Sequence, residues 1–487
     1  MMNELAELLP AEMARELSAL GLRFDGENLI VGLPESHDST SRETARGKLE
    51  THLGERFSNL TLVSIEDALL AEVIEAVYRD RDGGNNTFNP IAATASADSE
   101  GPIADLVSDV LERAVKLRAS DIHVEPTDGD LMVRVRVDGH LETVVQLPGN
   151  LAAPFVSRLK VLAKINIVER RRPQDGQFSI NIDGRQIDCR LATVTTLYGE
   201  KAVMRLLDTR KALTDLSGLG FADEQLSKVR RMVHAQHGLV ITAGPTGSGK
   251  TTTLHSALHD LDVANLNVST IEDPVEYVMK GINHIPVVEE LGIGFATQLR
   301  ALLRQDPDVI LVGETRDSET ARISVQAALS GRLVITSLHA TDALSAIYRL
   351  FQMDIEPYLV AASLRGVIAQ RLVRKICDYC ATDYVASSAE RLMLSHLNLP
   401  KKLTLRKGLG CAVCRGSGYR DRVGVYQVFE VSDSMRELIS KRPDPFELQA
   451  QAFAEGFRAL EDEAYILALA GRTTVQEATR LVTKDVH

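Results

Sequence analysis

A glycine-rich loop between residues 244 and 251 has the composition of a phosphate-binding site. It fits the pattern G-x-x-x-x-G-K-[ST] without a mismatch, with the residues Gly244, Pro245, Thr246, Gly247, Ser248, Gly249, Lys250 and Thr251. The glycines let backbone N–H groups turn towards phosphate oxygens, and the helix expected after the loop presents its positive dipole end to the same anion. We expect Lys250 to reach the β- and γ-phosphates of ATP and the Thr251 hydroxyl to bind Mg²⁺, with Thr252 beside them.

Acidic and histidine side chains follow three predicted strands. The strands and the polar groups after them are Val309 to Val312 with Glu314, Val268 to Ile271 with Glu272 and Glu276, and Leu333 to Thr336 with His339. The carboxyl ends of parallel strands meet at one edge of a sheet, where a carboxylate can hold Mg²⁺ or orient water. These three groups of side chains therefore predict that the bound nucleotide is hydrolysed. The alternative for any one cluster is a solvated turn, which is a weaker explanation for three clusters together.

Four of the five cysteines form two CxxC pairs separated by 30 residues, namely Cys377, Cys380, Cys411 and Cys414. Four thiolates without an open position are typical of a structural zinc site. The alternatives are four buried cysteines without a metal, or a DNA-binding ribbon. DNA binding is disfavoured because the pairs lie inside the large C-terminal domain predicted below. Cys189 lies in a predicted strand and is expected to be a small packed residue.

The elements that must position these groups fall into three predicted domains. Residues 216–487 alternate apolar strands with helices, which predicts a parallel α/β sheet with helices on both faces, a zinc module at about 375–420 and a helical part at 432–487. Residues 102–208 predict a compact α+β domain. It contains two hairpins, with turns at Asp138-Gly139 and Asp183-Gly184.

The first 80 residues predict a small, mainly helical domain. Apolar spacing favours one helix from Leu5 to Leu20 that stops at Gly21, and a second from Ile65 to Tyr78. Residues 81–101 are rich in Gly, Asn, Ser and Ala, which predicts a flexible linker, and residues 209–215 predict a second linker.

Length and charge bound the class of protein. A chain of 487 residues predicts two to four domains, and a formal net charge of -12 argues against a generic nucleic-acid coat. The chain contains no run of about 18 apolar residues, so no membrane-spanning helix is predicted. The N-terminus lacks the basic region of a secretory signal, so we expect the cytosol.

Further segments carry a family resemblance. TIEDPVEY (270–277), LRQDPDVILVGETRDSET (303–320) and GRLVITSLHATDA (331–343) resemble the Asp box, Walker B segment and His box of the secretion ATPase superfamily. RASDIHVEP (118–126) and RRPQDGQFS (171–179) resemble parts of that family's second N-terminal domain. The resemblance covers residues 102–487 and is greatest to the cytoplasmic ATPases of type II secretion.

The resemblance implies a fold and roles for residues. The fold is a RecA-like P-loop ATPase domain with an inserted zinc module, preceded by a PAS-like α+β domain and a small N-terminal domain. Each nucleotide of a homo-hexamer would lie between the RecA-like and α+β domains. The implied roles are Glu314 as catalytic glutamate, Glu272 and Glu276 as supporting acids, His339 as γ-phosphate sensor, and Arg190 and Arg205 as charge-stabilising arginines. Plain surface positions remain the alternative for both arginines.

The resemblance also implies partners. The motor would push pseudopilin subunits out of the inner membrane through a polytopic platform protein, and nucleic acid is not expected to bind. Residues 1–80 do not match the family well by position. We expect them to be an adaptor for the cytoplasmic domain of a bitopic inner-membrane secretion protein, which would hold the cytoplasmic motor at the membrane.

Three readings stay open on the sequence: a type II secretion motor, a type IV pilus assembly motor, and an inactive nucleotide-binding scaffold. The zinc insertion is implied for secretion and pilus-assembly ATPases and not for retraction ATPases, and the short region before residue 118 favours secretion. The chain departs from the family pattern at Gln177, Arg332 and Ala192, so any role for the first of these positions is in doubt.

Overall fold

The computed structural model describes residues 5, 8–25, 28–54, 57, 59–78, 100–208, 215–397 and 399–483. They form two compact units. The first contains residues 1–211, 377–381 and 408–421, and the second contains residues 212–376, 382–407 and 422–487. Both cysteine pairs thus belong to the first unit, although the sequence places them within the predicted ATPase domain. The predicted linkers 81–101 and 209–215 lie almost wholly outside the described residues.

The N-terminal part of the first unit combines helices with a three-stranded sheet. Its elements are α1 Ala11–Glu16, β1 Leu20–Asp25, β2 Asn28–Pro34, α2 Ser39–Leu53, β3 Asn59–Ile65 and α3 Asp67–Tyr78. The predicted helix through Leu20 is wrong in its last part, and Gly21 lies in a strand. The short run Leu20, Leu22, Phe24 has period two, and β2 supplies an antiparallel partner that a helical interpretation leaves unused.

The α+β part of the first unit is a six-stranded antiparallel sheet with two helices on its apolar face. The elements are α4 Glu100–Lys116, β4 Asp121–Pro126, β5 Asp130–Val137, β6 His140–Pro148, α5 Ala152–Leu162, β7 Gln174–Ile182, β8 Arg185–Thr196 and β9 Gly199–Asp208. The strand order is β6-β5-β4-β9-β8-β7. Both predicted hairpins are confirmed, and their Asp-Gly turns have the positive φ angles that a type I′ turn requires.

The second unit is built on a seven-stranded sheet. Its strands are β10 Gly238–Ala243, β11 Val268–Glu272, β12 Asn283–Pro286, β13 Val309–Val312, β14 Leu333–Leu338, β15 Leu364–Ile376 and β18 Tyr419–Glu430, and their order is β12-β11-β13-β14-β10-β15-β18. The first six strands pair in parallel. The central strand β10 is buried throughout because its alternate residues enter separate apolar clusters on the two faces.

Helices cover both faces of this sheet. They are α6 Asp223–Val233, α7 Lys250–His259, α8 Phe295–Leu302, α9 Ser318–Leu329, α10 Ala343–Gln352, α11 Pro357–Ser363, α13 Asp433–Ser440, α14 Pro445–Ala454, α15 Leu460–Leu469 and α16 Val475–Thr483. A short insertion carries β16 Ala381–Val385, α12 Ser388–Met393 and β17 Thr404–Gly408. Among the described helices, none has the length and apolar character needed to cross a membrane. The predicted α/β sheet with helices on both faces is confirmed.

Candidate nucleotide-hydrolysis site and metal centre

The glycine-rich loop leaves the carboxyl end of β10 and leads directly into α7. Strand β10 lies between β14 and β15 in the sheet, so the loop opens at the middle of the carboxyl edge. Gly249 caps α7 with φ +90°, and Gly247 has φ +78°. Residues that carry a Cβ rarely adopt a positive φ angle, which explains why both positions are glycine. This backbone conformation is the one that directs N–H groups towards the open side of the loop. Thr251 is half-buried and Thr252 is exposed in the first turn of α7.

Lys250 folds back over the loop that precedes it. Its ammonium donates hydrogen bonds to the carbonyl oxygens of Gly244 at 2.7 Å and Pro245 at 3.1 Å. Burial lowers the pKa of Lys250, the negative charge of Glu314 opposes that shift, and Arg371 adds to it. The Glu314 carboxylate is thus close enough to Lys250 to act on its charge.

Gln370 supports the loop from the neighbouring strand β15. Its amide Nε2 donates to the Ser248 carbonyl oxygen at 2.8 Å, and a Cβ at Gly244 would lie only 2.7 Å from the Gln370 carbonyl oxygen. Gln370 was not predicted as a site residue. The available signal was a buried polar side chain that follows the apolar run Val367 to Ala369, at the same sheet edge as the predicted acids.

Glu314 and His339 come together at the ends of two adjacent strands. Strands β13 and β14 pair in parallel, and Glu314 Oε1 lies 2.7 Å from His339 Nε2. The other carboxylate oxygen accepts from Arg316 Nε at 2.9 Å, and this bond is the main reason that the pKa of Arg316 is raised. Arg316 also lies 3.6 Å from Asp273, after β11. Polar groups that follow three strands thus meet, but the residue after β11 that takes part is Asp273 and neither Glu272 nor Glu276.

Glu272 has a different environment from Glu314, because its carboxylate is buried and occupied. One oxygen lies 3.0 Å from His255 Nε2 on α7, and the other accepts from the Thr270 hydroxyl at 2.6 Å and lies 3.0 Å from His284 Nδ1. The backbone N–H of Met279 donates to His284 Nε2, so Nδ1 carries the proton. Burial raises the pKa of Glu272, but the hydrogen bonds from His255, Thr270 and His284 together outweigh it and lower the pKa.

This arrangement ties three elements together. His255 comes from the helix that follows the phosphate loop, Glu272 from β11 and His284 from β12. The role of Glu272 as a supporting acid remains a prediction, and Glu276 lies half-buried in the loop after β11. Neither histidine was singled out from the sequence, because a lone histidine in an apolar pattern predicts only a core position.

Arg190 and Arg205 lie opposite one another on β8 and β9 in the first unit. Cross-strand partners share a face of the sheet, and this face is the polar one, opposite α4 and α5. Arg205 Nε donates to Asp121 Oδ1 at 3.1 Å, and Gln177 is the partner of Arg190 on β7. Their role in stabilising phosphate charge remains a prediction.

The four cysteines of the two pairs converge as a metal site requires. Their sulfurs all lie within 4.8 Å of one another, with Sγ–Sγ distances of 3.8 Å for Cys377 and Cys411, 3.7 Å for Cys380 and Cys414, and 3.7 Å for Cys411 and Cys414. A tetrahedral ion with metal–sulfur bonds of about 2.3 Å requires sulfurs about 3.8 Å apart. The residues therefore fit zinc.

Two backbone N–H groups also donate hydrogen bonds to one of the four sulfurs. The N–H groups of Cys411 and Gly418 lie 3.1 and 3.2 Å from Cys414 Sγ, as expected for a thiolate ligand. The neighbouring thiols, Cys377 first, and the Cys411 N–H hold the pKa of Cys414 far below its usual range. Cys189 is packed in the core of the α+β sheet, and burial raises its pKa to about 12, which makes it unreactive.

Comparison with known proteins finds similarity to proteins of type II and type IV secretion systems. The family described as Type II/IV secretion system protein matches residues 96–480. The chain is 37% identical to the type II secretion system protein E of Xanthomonas campestris pv. campestris, over 98% of this chain and 87% of that protein. It is 41% identical to the type II secretion system ATPase E of Vibrio cholerae, over 80% of this chain and 77% of that protein.

Similarity extends to pilus motors. The chain is 37% identical to the type IV pilus assembly ATPase PilB of Myxococcus xanthus, over 99% of this chain and 87% of that protein. The crystal structure of the pilus retraction motor PilT with bound ADP superposes with a TM-score of 0.52 and 26% identity, over 77% of this chain and 96% of that chain. The Legionella pneumophila ATPase DotB gives 0.58 and 19%, over 78% and 95%, and shows the fold alone.

Proposed function

Because this chain belongs to the type II/IV secretion system protein family, we propose that it is the hexameric ATPase that drives pseudopilus assembly in type II secretion. The family and its structural neighbours are ATPases. The observation that carries the proposal for this chain is the convergence of Glu314 and His339, 2.7 Å apart, at the strand ends beside the phosphate loop.

Nucleotide binding follows from the loop. The N–H groups around Gly247 and Gly249 and the amino end of α7 bind the phosphate oxygens. Lys250 exchanges its two carbonyl acceptors for the β- and γ-phosphates, which is favourable because a partly buried ammonium gains more from an anion than from neutral carbonyls. The Thr251 hydroxyl is the group that would hold Mg²⁺, whose chemistry is to neutralise charge on the β- and γ-phosphates.

The carboxylate side chains at the strand ends carry out the hydrolysis step. A water oxygen forms a bond to the γ-phosphorus while the bond to the β–γ bridging oxygen breaks, and ADP takes that electron pair. Glu314 orients the water and accepts its proton. His339, held by the same carboxylate, contacts the γ-phosphate and reports its loss. Arg190 and Arg205 supply positive charge to the phosphates as the negative charge redistributes. Glu272 and Glu276 act as supporting acids.

Coupling to secretion requires partners. We propose that residues 1–80 bind the cytoplasmic domain of a bitopic inner-membrane protein and that the hexamer acts on a polytopic platform protein. The chain would then work in the cytoplasm, peripheral to the inner membrane. The zinc ion held by the four cysteines would be structural, because all four positions of a tetrahedral ion are taken by sulfur.

A complementation experiment tests the proposal. In a strain that lacks the chromosomal copy, Lys250→Ala is expected to abolish secretion of type II substrates, and the purified variant is expected to keep the wild-type circular dichroism spectrum. Lys280→Ala, which changes an exposed lysine after β11, serves as the matched control. Normal secretion by Lys250→Ala would refute the motor, and loss of secretion by both variants would point to expression instead.

Type IV pilus assembly is the second candidate, and the match to PilB over 99% of the chain favours it. The two candidates differ in the proteins that they contact. Pull-down with the cytoplasmic part of a bitopic secretion protein is expected to retain the full chain, and the equivalent pilus-system bait is not. An inactive scaffold would bind a bait but would not release phosphate from ATP.

A further inference from the structure

The two cysteine knuckles have an apolar surface that the metal site does not require. We call residues 377–381 and 408–421 the knuckle pair. Ala412 and Val413 stand between the cysteines of the second knuckle and are only 4% and 5% exposed. Four thiolates can hold a metal whatever lies between them, and the tip of such a loop is usually at the surface. Burial of these two side chains therefore needs another explanation.

The N-terminal lobe, defined as residues 8–25, 28–54 and 59–78, covers this apolar tip. Ala412, Val413 and the four cysteines belong to one buried cluster with the leucines of β1 and the apolar face of α3, including Leu22 and Val73. The N–H of Ala412 donates to the Leu22 carbonyl oxygen at 3.3 Å. Tyr379, between the cysteines of the first knuckle, packs against the same cluster. Both knuckles thus contribute to the core of the lobe.

The knuckle pair meets the α+β domain in a different manner. Arg118 pairs with Asp421 at 2.7 Å, Arg415 pairs with Glu142 at 3.2 Å, and the N–H of Asp421 donates to Asp138 at 3.1 Å. These are polar contacts at the surface, and such ion pairs contribute little stability. The knuckle pair thus meets the lobe through apolar side chains and the α+β domain through polar ones.

A cavity of about 180 Å³ lies where α3 of the N-terminal lobe meets the end of α4 and the second knuckle. Its apolar lining comes from α3, the end of α4 and the second knuckle, through Val73, Val77, Leu117, Ala412 and Val413. Interiors that never separate are packed at close to crystalline density. This pocket is partly open to solvent, so the packing between α3, α4 and the second knuckle is incomplete there.

We propose that the knuckle pair is the docking seat of the N-terminal lobe and that bound metal holds the seat in shape. The sulfurs of all four cysteines fix the two knuckles relative to each other, and only then do Tyr379, Ala412 and Val413 form one surface. Loss of the metal frees the knuckles and releases the lobe. The inference rests on the proposed metal site and not on secretion, so either can fail alone.

Hydrogen exchange on the full chain tests the seat. In zinc-loaded protein, Val413→Asp is expected to speed exchange in peptides from β1 and α3 by about tenfold or more, because a carboxylate cannot be buried there without a partner. The number of zinc ions bound per chain of Val413→Asp, measured after protease digestion has released the metal, is expected to stay at the wild-type value. Arg415→Gln is the matched control, since it removes a polar contact of the same knuckle and is expected to leave β1 and α3 protected.

The metal half of the proposal has its own readout. Stripping zinc with a chelator is expected to speed exchange in β1 and α3, and adding Zn²⁺ back is expected to restore protection. Peptides from β10 and β13 must keep their rates, which separates undocking from unfolding. If these core peptides also exchange faster in Val413→Asp, the milder Val413→Ser replaces it. Unchanged exchange in β1 and α3 after substitution refutes the seat, and unchanged exchange after stripping refutes its dependence on metal.

Discussion

Glu314 Oε1 lies 2.7 Å from His339 Nε2, although 24 residues lie between them in the sequence. Each of the two residues follows one of two parallel strands. The pair exists because β13 and β14 are adjacent and parallel: Val312, the last residue of β13, is the register partner of Thr336, and the residues that follow both strands meet at one edge of the sheet. Thr315 and Thr336 share a hydrogen bond of 2.8 Å that holds the two ends together. If Glu314 is the proton acceptor that we propose, a histidine held on its carboxylate is placed to couple the state of the γ-phosphate to that residue.

Glu314→Gln is expected to reduce the rate of ATP hydrolysis by about 10²- to 10⁴-fold, because the amide cannot accept a proton from water. Phosphate release under single-turnover conditions measures this step, and nucleotide affinity should change little. Glu319→Gln is the matched control, since that carboxylate pairs with exposed Arg300 on the neighbouring helix. Unchanged turnover in Glu314→Gln would move the catalytic role to another acid, with Glu272 the first to test.

Gln370→Ala is expected to weaken ATP binding by about 2- to 10-fold, the usual value of one net hydrogen bond. The loss arises because the Ser248 carbonyl no longer has its donor, and the phosphate loop is less well ordered before nucleotide arrives. Titration with a fluorescent ATP analogue measures the affinity, and kcat at saturation is expected to fall less than affinity does. A fall in kcat with unchanged affinity would assign Gln370 to the chemical step. Gln352→Ala changes an exposed glutamine as a control.

The parts of the site that the sequence predicted are those that depend on strand ends and fixed spacing. The loop at 244–251, Glu314 and His339 follow from the rule that parallel strands bring their carboxyl ends together, and the CxxC spacing alone predicts the metal ligands. What was missed depends on packing between distant segments. Gln370 acts across the sheet from β15, and the partners of Glu272 come from α7 and β12, which no local pattern connects.

The fold shows the same division. Hairpins with Asp-Gly turns were predicted because turn and strands are adjacent in sequence. The N-terminal sheet was missed because β2 and β3 pair in parallel across the intervening helix α2, and β1 is too short for its period to be distinguished from that of a helix. Assignment of the knuckle pair to the first unit also depends on long-range contacts, which spacing does not reveal.

Glu272→Gln is expected to lower the free energy of unfolding by about 1–3 kcal/mol at pH 7, because the buried acceptor for His255, Thr270 and His284 loses its charge. The folded state lowers the pKa of Glu272, so its contribution is fully present above the ordinary value of 4.5 and is lost progressively as pH falls from there through the lower pKa of the folded state. Urea unfolding at pH 7 and pH 4 measures the difference between variant and wild type, which should shrink at the lower pH.

The exposed Glu356→Gln controls for charge alone. A Glu272→Gln variant as stable as wild type at pH 7, with hydrolysis lost, would show that Glu272 acts in catalysis and not in joining α7 to the sheet.

Cys411→Ser is expected to reduce bound zinc well below one per chain and to lower the unfolding temperature, while affinity for ATP stays within about threefold of wild type. A structural metal contributes directly to folding free energy, and its ligands lie outside the phosphate loop. Atomic absorption, thermal unfolding and nucleotide titration measure the three quantities. Cys189→Ala is the matched control because it removes a buried thiol that is not a ligand. Wild-type protein with no zinc would refute the metal centre.

Arg190 and Arg205 differ in how they are held, and this predicts different mutant kinetics. Arg205 pairs with Asp121, whereas Arg190 lies opposite Arg205 and Gln177. If both stabilise phosphate charge in the transition state, Arg190→Gln and Arg205→Gln should each lower kcat by about 10³-fold or more with little change in nucleotide affinity. Arg205→Gln should in addition lower stability, because Asp121 loses the nearer of two cations and keeps only Arg136 at 3.8 Å. Arg185→Gln, at an exposed position of β8, is the control. Wild-type kcat in both variants would make them surface arginines.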